Sequence, residues 1–504
     1  MYTQARPKNT VRVTTPLSWI TASLIASLVA GPCAAAAFDD PLPATVVNAL
    51  AQAGLQPDAL GAIAIPQTFW ARPWQHRAVV PMQPGSAMKL VTTIVALDRL
   101  GPNKRGRTEL HTTGTVNSNG VLNGDLVLVG GADPDFDLPA LWQLLFELRQ
   151  RGVHTINGSL VLDRTLFQPA RIDIGLPPFD ESPEWPYNVI PDALMLNGDL
   201  MGIALSSSDS GAVAARLTPP LDGVRVDASA LAATTTACAD WDEDWLPPRV
   251  AQTSPGQWRI ELQGGFPRRC EAQAALQLLD RNVITEQQVR AVWASLGGRF
   301  TGAPGNVREA ALPAGAERIA QHDSRPWGEV LRNMNKASDN ALTRLLFLQL
   351  GVPAMSANPQ ATTLELAQRD VQRWFDEQRI DRDGLVMDNG SGLSRSERIA
   401  PRTMARAIEA AINGQHAPEL LMSLPVAGVD GTMRNRLKGT RAEGWARLKT
   451  GALKNVTALA GTVRDTRGDT WIVVAFINHD DAAKGRPALD ALVEWVANSG
   501  ARWR

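Results

Sequence analysis

Apolar and polar positions change rhythm several times along the chain, and the changes divide it into segments. Pro43 to Ala53 carries a short helical pattern, and Gly61 to Ile65 and Arg77 to Val80 read as strands joined by a Trp-containing turn. Leu90, Ile94, Leu97 and Leu100 then recur on one helix face until Gly101-Pro102 stops them. A helix this apolar is predicted to lie inside the protein. From about Thr108 the texture turns to short strands, at 108–116, 121–129 and 158–162, around one helix marked by Leu138, Leu141, Leu145 and Leu148. Residues 167–192 are loop-like and rich in Pro and acidic side chains. Strand-and-turn sequence continues past Cys238 and Cys270 to a helix predicted to start at Thr285, where Gln288 completes a capping box.

Helical periodicity returns with Ser324 as N-cap and Pro326 just inside the first turn. Further helices follow at Asn340–Leu350, around Leu364, Val371 and Phe375, and around Met404, Ile408 and Ile412. Three strands, at 447–451, 459–464 and 471–478, precede a last helix at 487–498. Strands flanked by N- and C-terminal helices predict an α/β fold in α+β layers whose first and last parts join across an insertion. The expected boundaries are 1–37 for a leader, 38–107 and 314–504 for the two halves of the body, and 108–313 for a mainly β insertion of one or two modules. The sequence has no internal repeat and no low-complexity tract.

Length agrees with that division, because 504 residues exceed what one core organises. The formal net charge of -1, and the lack of a basic run interleaved with aromatics, disfavour a nucleic-acid partner. Arg6, Lys8 and Arg12 precede an uncharged stretch from Leu17 to Ala30 and then Cys33 and Ala34 to Ala37, the order of a secretory signal peptide cleaved after Ala36 or Ala37. The stretch is short for a membrane span, so the mature chain is expected to be exported and free of a membrane span. Processing would remove Cys33 and leave Cys238 and Cys270. These either form one disulfide, closing a loop of about 30 residues and worth a few kcal/mol, or remain as two buried thiols.

Candidate chemistry begins at Gly85-Ser86-Ala87-Met88-Lys89. A spacing of three residues is nearly one helical turn, which puts the Ser86 hydroxyl and the Lys89 amine on one face as a nucleophile beside a base. Alone, such a pair is equally a capping Ser and an exposed Lys. Ser338-Asp339-Asn340 alone is a helix cap, and Lys449-Thr450-Gly451 alone a strand end. Together and in this order they form the three-motif set of penicillin-binding proteins and class A β-lactamases.

The flanking words Asn335-Lys336-Ala337, Asp388-Asn389-Gly390-Ser391-Gly392-Leu393-Ser394-Arg395 and Gly428-Val429-Asp430-Gly431-Thr432 add to this. With them the chain resembles the D-alanyl-D-alanine carboxypeptidase/endopeptidase family of the penicillin-binding protein 4 type. The resemblance implies a penicillin-binding transpeptidase-like fold and a serine DD-peptidase acting on peptidoglycan stem peptides in the periplasm. It implies no cofactor or metal, with peptidoglycan peptides as substrates and β-lactams as covalent inhibitors. Ser86 would be the nucleophile, and Lys89 its base, with a pKa depressed by burial and by the Lys449 cation. Ser338 would pass a proton to the leaving amine, and Asn340 would hold the substrate amide and Lys89. Thr450 would read the terminal carboxylate with Lys449, Gly451 would let the strand approach it, and the N–H groups of Ser86 and Ala452 would form the oxyanion hole. Ala452 departs from the Thr or Ser common after Lys-Thr-Gly, so one side-chain hydroxyl to that carboxylate is missing. Asp180, Glu181 and Glu184 are either a solvated loop or readers of a free amine on the substrate, with Asp180 and Glu184 as the candidates. A β-lactamase or esterase on the same fold, which would lack the long insertion, and a non-catalytic cell-wall binding protein are the rival readings.

Overall fold

Strands from both ends of the chain close one sheet. In the computed structural model, which describes residues 39–499, its order is Arg447–Leu453, Val456–Arg464, Thr470–Asn478, Leu60–Pro66 and Trp74–His76, antiparallel throughout. Leu60–Pro66 pairs with Thr470–Asn478 from Leu60 opposite Ile477 to Pro66 opposite Trp471. Side chains alternate across the sheet, as the pleat requires. Ile63, Ile65, Ile472, Val474 and Phe476 join a core with the helices Lys89–Leu100, Asn340–Gly351, Thr363–Glu377 and Pro401–Ile412. Ala62, Ala64, Val473, Ala475 and Ile477 face a second core with the helices Ala44–Gln52 and Arg486–Ala497. The result is a helix–sheet–helix sandwich.

The Lys89–Leu100 helix is buried over every residue from Lys89 to Leu97. Leu90, Val91, Ile94, Val95 and Leu97 are each at most 4% exposed, and a fully buried aliphatic side chain contributes about 1.5–3 kcal/mol. The element that carries the candidate nucleophile is thereby fixed.

In sequence between the helices Lys89–Leu100 and Trp327–Ala337 lie a five-stranded and a four-stranded mixed sheet around the helices Leu138–Gln150 and Arg281–Ser295, with Leu141, Leu144, Leu162 and Trp293 in their core. A β-rich part with a separate core around Ile203, Leu262 and Phe266 lies in sequence between those two helices. There Cys238 and Cys270 are joined, with Cα atoms 5.3 Å apart, pinning the turn at Cys238–Asp240 to the start of the Glu271–Leu276 strand. Among the described residues no helix is long and apolar enough to cross a membrane. The leader at 1–37, with Cys33, lies outside the described residues.

Some local expectations give way. The second strand is Trp74–His76 and not Arg77–Val80, because Arg77 turns the chain with φ 45° and its carbonyl accepts the Val80 N–H. The helix expected at Thr285 begins at Arg281, capped by Asp280 on the Asn282 N–H. Thr285 and Gln288 are buried inside it, so the apparent capping box is interior packing. Ser324 caps nothing: the helix starts at Trp327, and the buried Ser324 hydroxyl accepts the Gly106 N–H and donates to the Arg325 carbonyl. The strands expected at 108–116 and 121–129 are each broken in two, at Thr113-Gly114 and at Gly124-Asp125.

Candidate active site

Ser86 lies on a single 3-10 turn, Gly85–Met88, that runs directly into the Lys89–Leu100 helix. The turn fits tightly against its neighbours. A Cβ on Gly392, at φ +82°, would stand 2.0 Å from the Gly85 carbonyl oxygen, and one on Gly451 would stand 2.3 Å from the Pro84 carbonyl oxygen. What Gly451 lets the strand approach is therefore the nucleophile's own turn. Gly85 in turn lies against the edge strand, its ideal Cβ 3.2 Å from the Ala452 nitrogen, so the two expected oxyanion donors are neighbours.

Lys89 is fully buried, and its ammonium donates to three oxygens: Ser86 Oγ at 3.1 Å, Asn340 Oδ1 at 2.6 Å and the Ser391 carbonyl at 2.5 Å. None of the three is a carboxylate. Burial, and then the Lys449 charge, hold its pKa well below the ordinary lysine value. Burial thus disfavours the charged form and favours the amine that can accept the Ser86 proton.

The middle motif forms the corner between two helices. Ser338 ends Trp327–Ala337 in the left-handed region, with φ 61° and ψ 39°. That conformation is uncommon for a residue with a side chain and is retained where the surroundings enforce it. Asp339 caps the Asn340–Gly351 helix by accepting the Leu342 N–H at 2.8 Å, so it is the structural member of the trio. Asn340 accepts from Lys89 through Oδ1 and donates through Nδ2 to the Tyr187 carbonyl at 2.9 Å. Lys449, fully buried on the edge strand, donates to Ser338 Oγ and to the Thr450 carbonyl, both at 2.9 Å, and burial lowers its pKa to about 7. Thr450 shares a 2.8 Å hydroxyl–hydroxyl bond with Thr432.

Ser86, Lys89, Ser338, Asn340, Lys449 and Thr450 are thus linked through two short chains of hydrogen bonds, one through each lysine. Asp180 and Glu184 stand apart from them. Asp180 organises its own loop, accepting from the Ser182 N–H, the Tyr187 hydroxyl and Asn188 Nδ2 at 3.1, 3.0 and 2.8 Å. Glu184 is 6% exposed, and neither carboxylate oxygen has a hydrogen-bond partner among the described residues. Glu181 is exposed. The loop reaches the site through a backbone atom, the Tyr187 carbonyl.

Sequence reasoning missed the Ser391 carbonyl, and with it Glu397. Glu397 Oε1 gathers the N–H groups of Asp388, Asn389 and Gly390 at 3.2, 3.0 and 2.7 Å, and Thr92 donates to the Gly390 carbonyl at 2.7 Å. This folds the Asp388–Arg395 turn so that Ser391 presents its oxygen to Lys89. The only signal in the sequence was the glycine pair around Ser391; an isolated Glu six residues later carries none.

Set beside known proteins, residues 42–499 match the profile of the D-Ala-D-Ala carboxypeptidase 3 (S13) family. The chain is 27% identical over 411 residues to the D-alanyl-D-alanine carboxypeptidase DacB of Haemophilus influenzae, covering 79% of this chain and 80% of the relative. It is 28% identical over 416 residues to a D-alanyl-D-alanine carboxypeptidase of an Actinomadura species, covering 79% and 74%. The crystal structure of penicillin binding protein 4 from Haemophilus influenzae superposes with a TM-score of 0.74 over 90% of this chain and 99% of that one, at 24% identity, and shares the fold. The same protein complexed with a β-lactam gives a TM-score of 0.66 at 25% identity, over 86% and 94%.

Proposed function

The chain belongs to the D-Ala-D-Ala carboxypeptidase 3 (S13) family and is a serine-type carboxypeptidase, and from that premise we propose that it cleaves peptidoglycan stem peptides through an acyl-enzyme on Ser86. The observation that carries the reading is the Lys89–Ser86 hydrogen bond, made by a buried lysine with no carboxylate partner. Ser86 Oγ attacks the carbonyl carbon of the penultimate D-alanine while Lys89 takes the hydroxyl proton. The N–H groups of Ser86 and Ala452 hold the resulting oxyanion, an arrangement worth a few kcal/mol per donor. As the C–N bond breaks, Ser338, hydrogen-bonded to Lys449, hands a proton to the departing nitrogen. The proton held by Lys89 replaces the one Ser338 has given up, which returns Lys89 to the amine; water then attacks the ester carbonyl, Lys89 takes its proton, and that proton passes to Ser86 Oγ as the acyl C–O bond breaks. A β-lactam follows the same path, but its leaving nitrogen stays tethered, and the adduct persists.

Thr450 and Lys449 are assigned to the terminal carboxylate. Its arrival would favour the charged form of Lys449, which in turn lowers the proton affinity of Lys89. Export to the periplasm belongs to the same reading, on the strength of the leader sequence. So does a selecting role for an inserted segment at 108–313, whose loop at Asp180 and Glu184 would sense a free amine on the stem peptide.

A single experiment tests the reading: the purified protein is incubated with a labelled penicillin, then with stem peptides and cross-linked muropeptides. Wild type should form a slowly released adduct and free D-alanine, Ser86→Ala should form neither, and Asp180→Ala with Glu184→Ala should raise KM only for peptides with the free amine. Rapid penicillin turnover would favour the lactamase reading instead. An undiminished adduct on folded Ser86→Ala would remove Ser86 from its role.

A further inference from the structure

Beside the edge strand that carries Lys449 opens a groove of about 1110 Å³, lined at one wall by Thr450, Gly451 and Ala452 and at the other by residues just ahead of Ser338. Its lining holds five cations, Arg332, Lys336, Arg434, Arg436 and Arg486, against one carboxylate, Asp430. Two of the cations are spoken for: Lys336 pairs with Asp430, and Arg436 pairs with Asp490 at 2.7 Å. The side chains of Arg332, Arg434 and Arg486 are exposed and, among the described residues, make no hydrogen bond or close ion pair, although the Arg332 charge acts on Asp430. They come from three separate stretches: the Trp327–Ala337 helix, the turn after Gly431–Met433 and the start of the Arg486–Ala497 helix. Folding therefore gathers three unpaired positive charges at one place, against the repulsion among them.

The position of the groove decides what it could read. Ser338 is assigned to protonate the leaving nitrogen and Thr450 to hold the carboxylate of the leaving residue, so a groove that begins between them lies on the leaving-group side. The acyl side is elsewhere, at Asn340 and the Tyr187 carbonyl. When a terminal D-alanine leaves, one small residue with one carboxylate departs and the rest of the groove stays empty. When a cross-link is cut, the leaving group is itself a stem peptide, which extends past that carboxylate and bears further carboxylates of its own.

We propose that Arg332, Arg434 and Arg486 form a leaving-strand subsite that binds the carboxylates of the departing peptide, making cross-linked dimers the favoured substrate class of the Ser86 site. The inference rests on the function proposed above. It also gives Ala452 a context. With the usual hydroxyl missing there, anion recognition shifts from one side chain at the strand to a broader field beside it. Exposed ion pairs are individually weak and screened by salt, so the effect should be cumulative and should fade as ionic strength rises.

The test compares full-length wild type with Arg434→Ala/Arg486→Ala and with Arg434→Glu on three substrates: a cross-linked muropeptide dimer, the same dimer amidated at its leaving-strand carboxylates other than the one beside the scissile bond, and a pentapeptide monomer. In wild type the native dimer should exceed the amidated one in kcat/KM by about tenfold at low salt. In the double variant the ratio of dimer to pentapeptide should fall by a similar factor, and in Arg434→Glu further. An unchanged ratio in variants that still label with penicillin would overturn the subsite. Equal losses on dimer and pentapeptide would overturn it too, assigning the arginines to the terminal carboxylate that both share. Wild type that neither labels with penicillin nor cuts either peptide would instead bring down the underlying function.

Discussion

Two clusters of buried charge meet the stretch at 171–192, one at the Tyr187 carbonyl and the other through Arg171, Asp173 and Asp192, and they are built on opposite principles. In the catalytic cluster Lys89 and Lys449 are buried among hydroxyls, carbonyls and one amide oxygen, with no carboxylate in contact. In the second, Arg164 and Arg281, both about 1% exposed, each lie 2.7 Å from the same oxygen of the fully buried Asp192. Asp199 stands 3.4 Å from Arg281, and Arg171 gathers Asp173, Asp280 and Glu309, each at 2.8 Å. Burial works on both clusters alike. It favours the neutral form of both lysines, whereas around Arg281 the Asp199, Asp192 and Asp173 charges outweigh it and hold the guanidinium charged. A buried cation without an anion becomes a base; a buried cation with one becomes a bolt.

The bolt has a place in the function as well. Arg281 also donates to the Ile190 carbonyl at 2.9 Å, and Arg344, on the Asn340–Gly351 helix, donates to the Asn188 and Val189 carbonyls at 3.3 and 3.0 Å. Both fix the short run that presents the Tyr187 carbonyl to Asn340. The paired arginines thus hold a loop that meets the lysine site, and the two principles act in series.

Removing the base should give the larger effect. Lys89→Ala is expected to slow penicillin acylation of Ser86 by about 10²–10⁴-fold, the usual range for a general base, while the protein stays folded. Labelling kinetics with a fluorescent penicillin measure this, and a rate within tenfold of wild type would break the contrast at its first half. Removing the anion of the bolt should act on stability instead. Asp192→Ala leaves Arg164 and Arg281 buried beside a lost partner, which typically costs about 3–5 kcal/mol. Denaturant unfolding measures it, with acylation by the folded fraction changing less than in Lys89→Ala. A loss below about 1 kcal/mol would mean that the arginines behave as surface charges, and the second half of the contrast would fail.

How much of this could be read from the sequence depends on whether a side chain or a backbone atom does the work. Ser86 with Lys89, and the words around Ser338 and Lys449, announced themselves because their chemistry resides in side chains whose spacing is visible, and the strand and helix pattern of the body followed from apolar periodicity. The third partner of Lys89 is the Ser391 carbonyl, and the contact to Asn340 is the Tyr187 carbonyl. Every residue has a carbonyl, so neither leaves a trace in residue type. The bolt was illegible for a different reason: Arg164, Asp192, Asp199 and Arg281 are scattered over more than a hundred positions, and only the fold shows that they meet. Thr285 and Gln288 mislead in the opposite way, since they have the spacing of a capping box yet lie inside a helix whose cap is Asp280. A local pattern cannot say which of two nearby starts the tertiary packing selects.

The smallest effect concerns the second lysine, and its sign follows from the roles assigned. Lys89 must be neutral to accept a proton, so acylation rises with pH through its lowered pKa and is then level. Lys449 must be charged to help hold the substrate carboxylate, and its value of about 7 means that the free enzyme loses this cation as pH rises past neutrality. Once peptide is bound, the carboxylate favours the charged form, and deprotonation moves to higher pH. The parameter that reports free enzyme, kcat/KM, should therefore begin to fall just above pH 7, whereas kcat, which reports the complex, should hold to a more alkaline value. Between the two limbs the difference appears as a rise in KM of a few-fold per pH unit, less than the tenfold that loss of a single indispensable charge would give, because Thr450 remains as a neutral ligand. Steady-state profiles on a pentapeptide, at constant ionic strength, resolve the two limbs. Coincident alkaline limbs in kcat and kcat/KM would show that Lys449 carries no charge the substrate depends on, and the catalytic cluster would then contain two bases in place of a base and a carboxylate clamp.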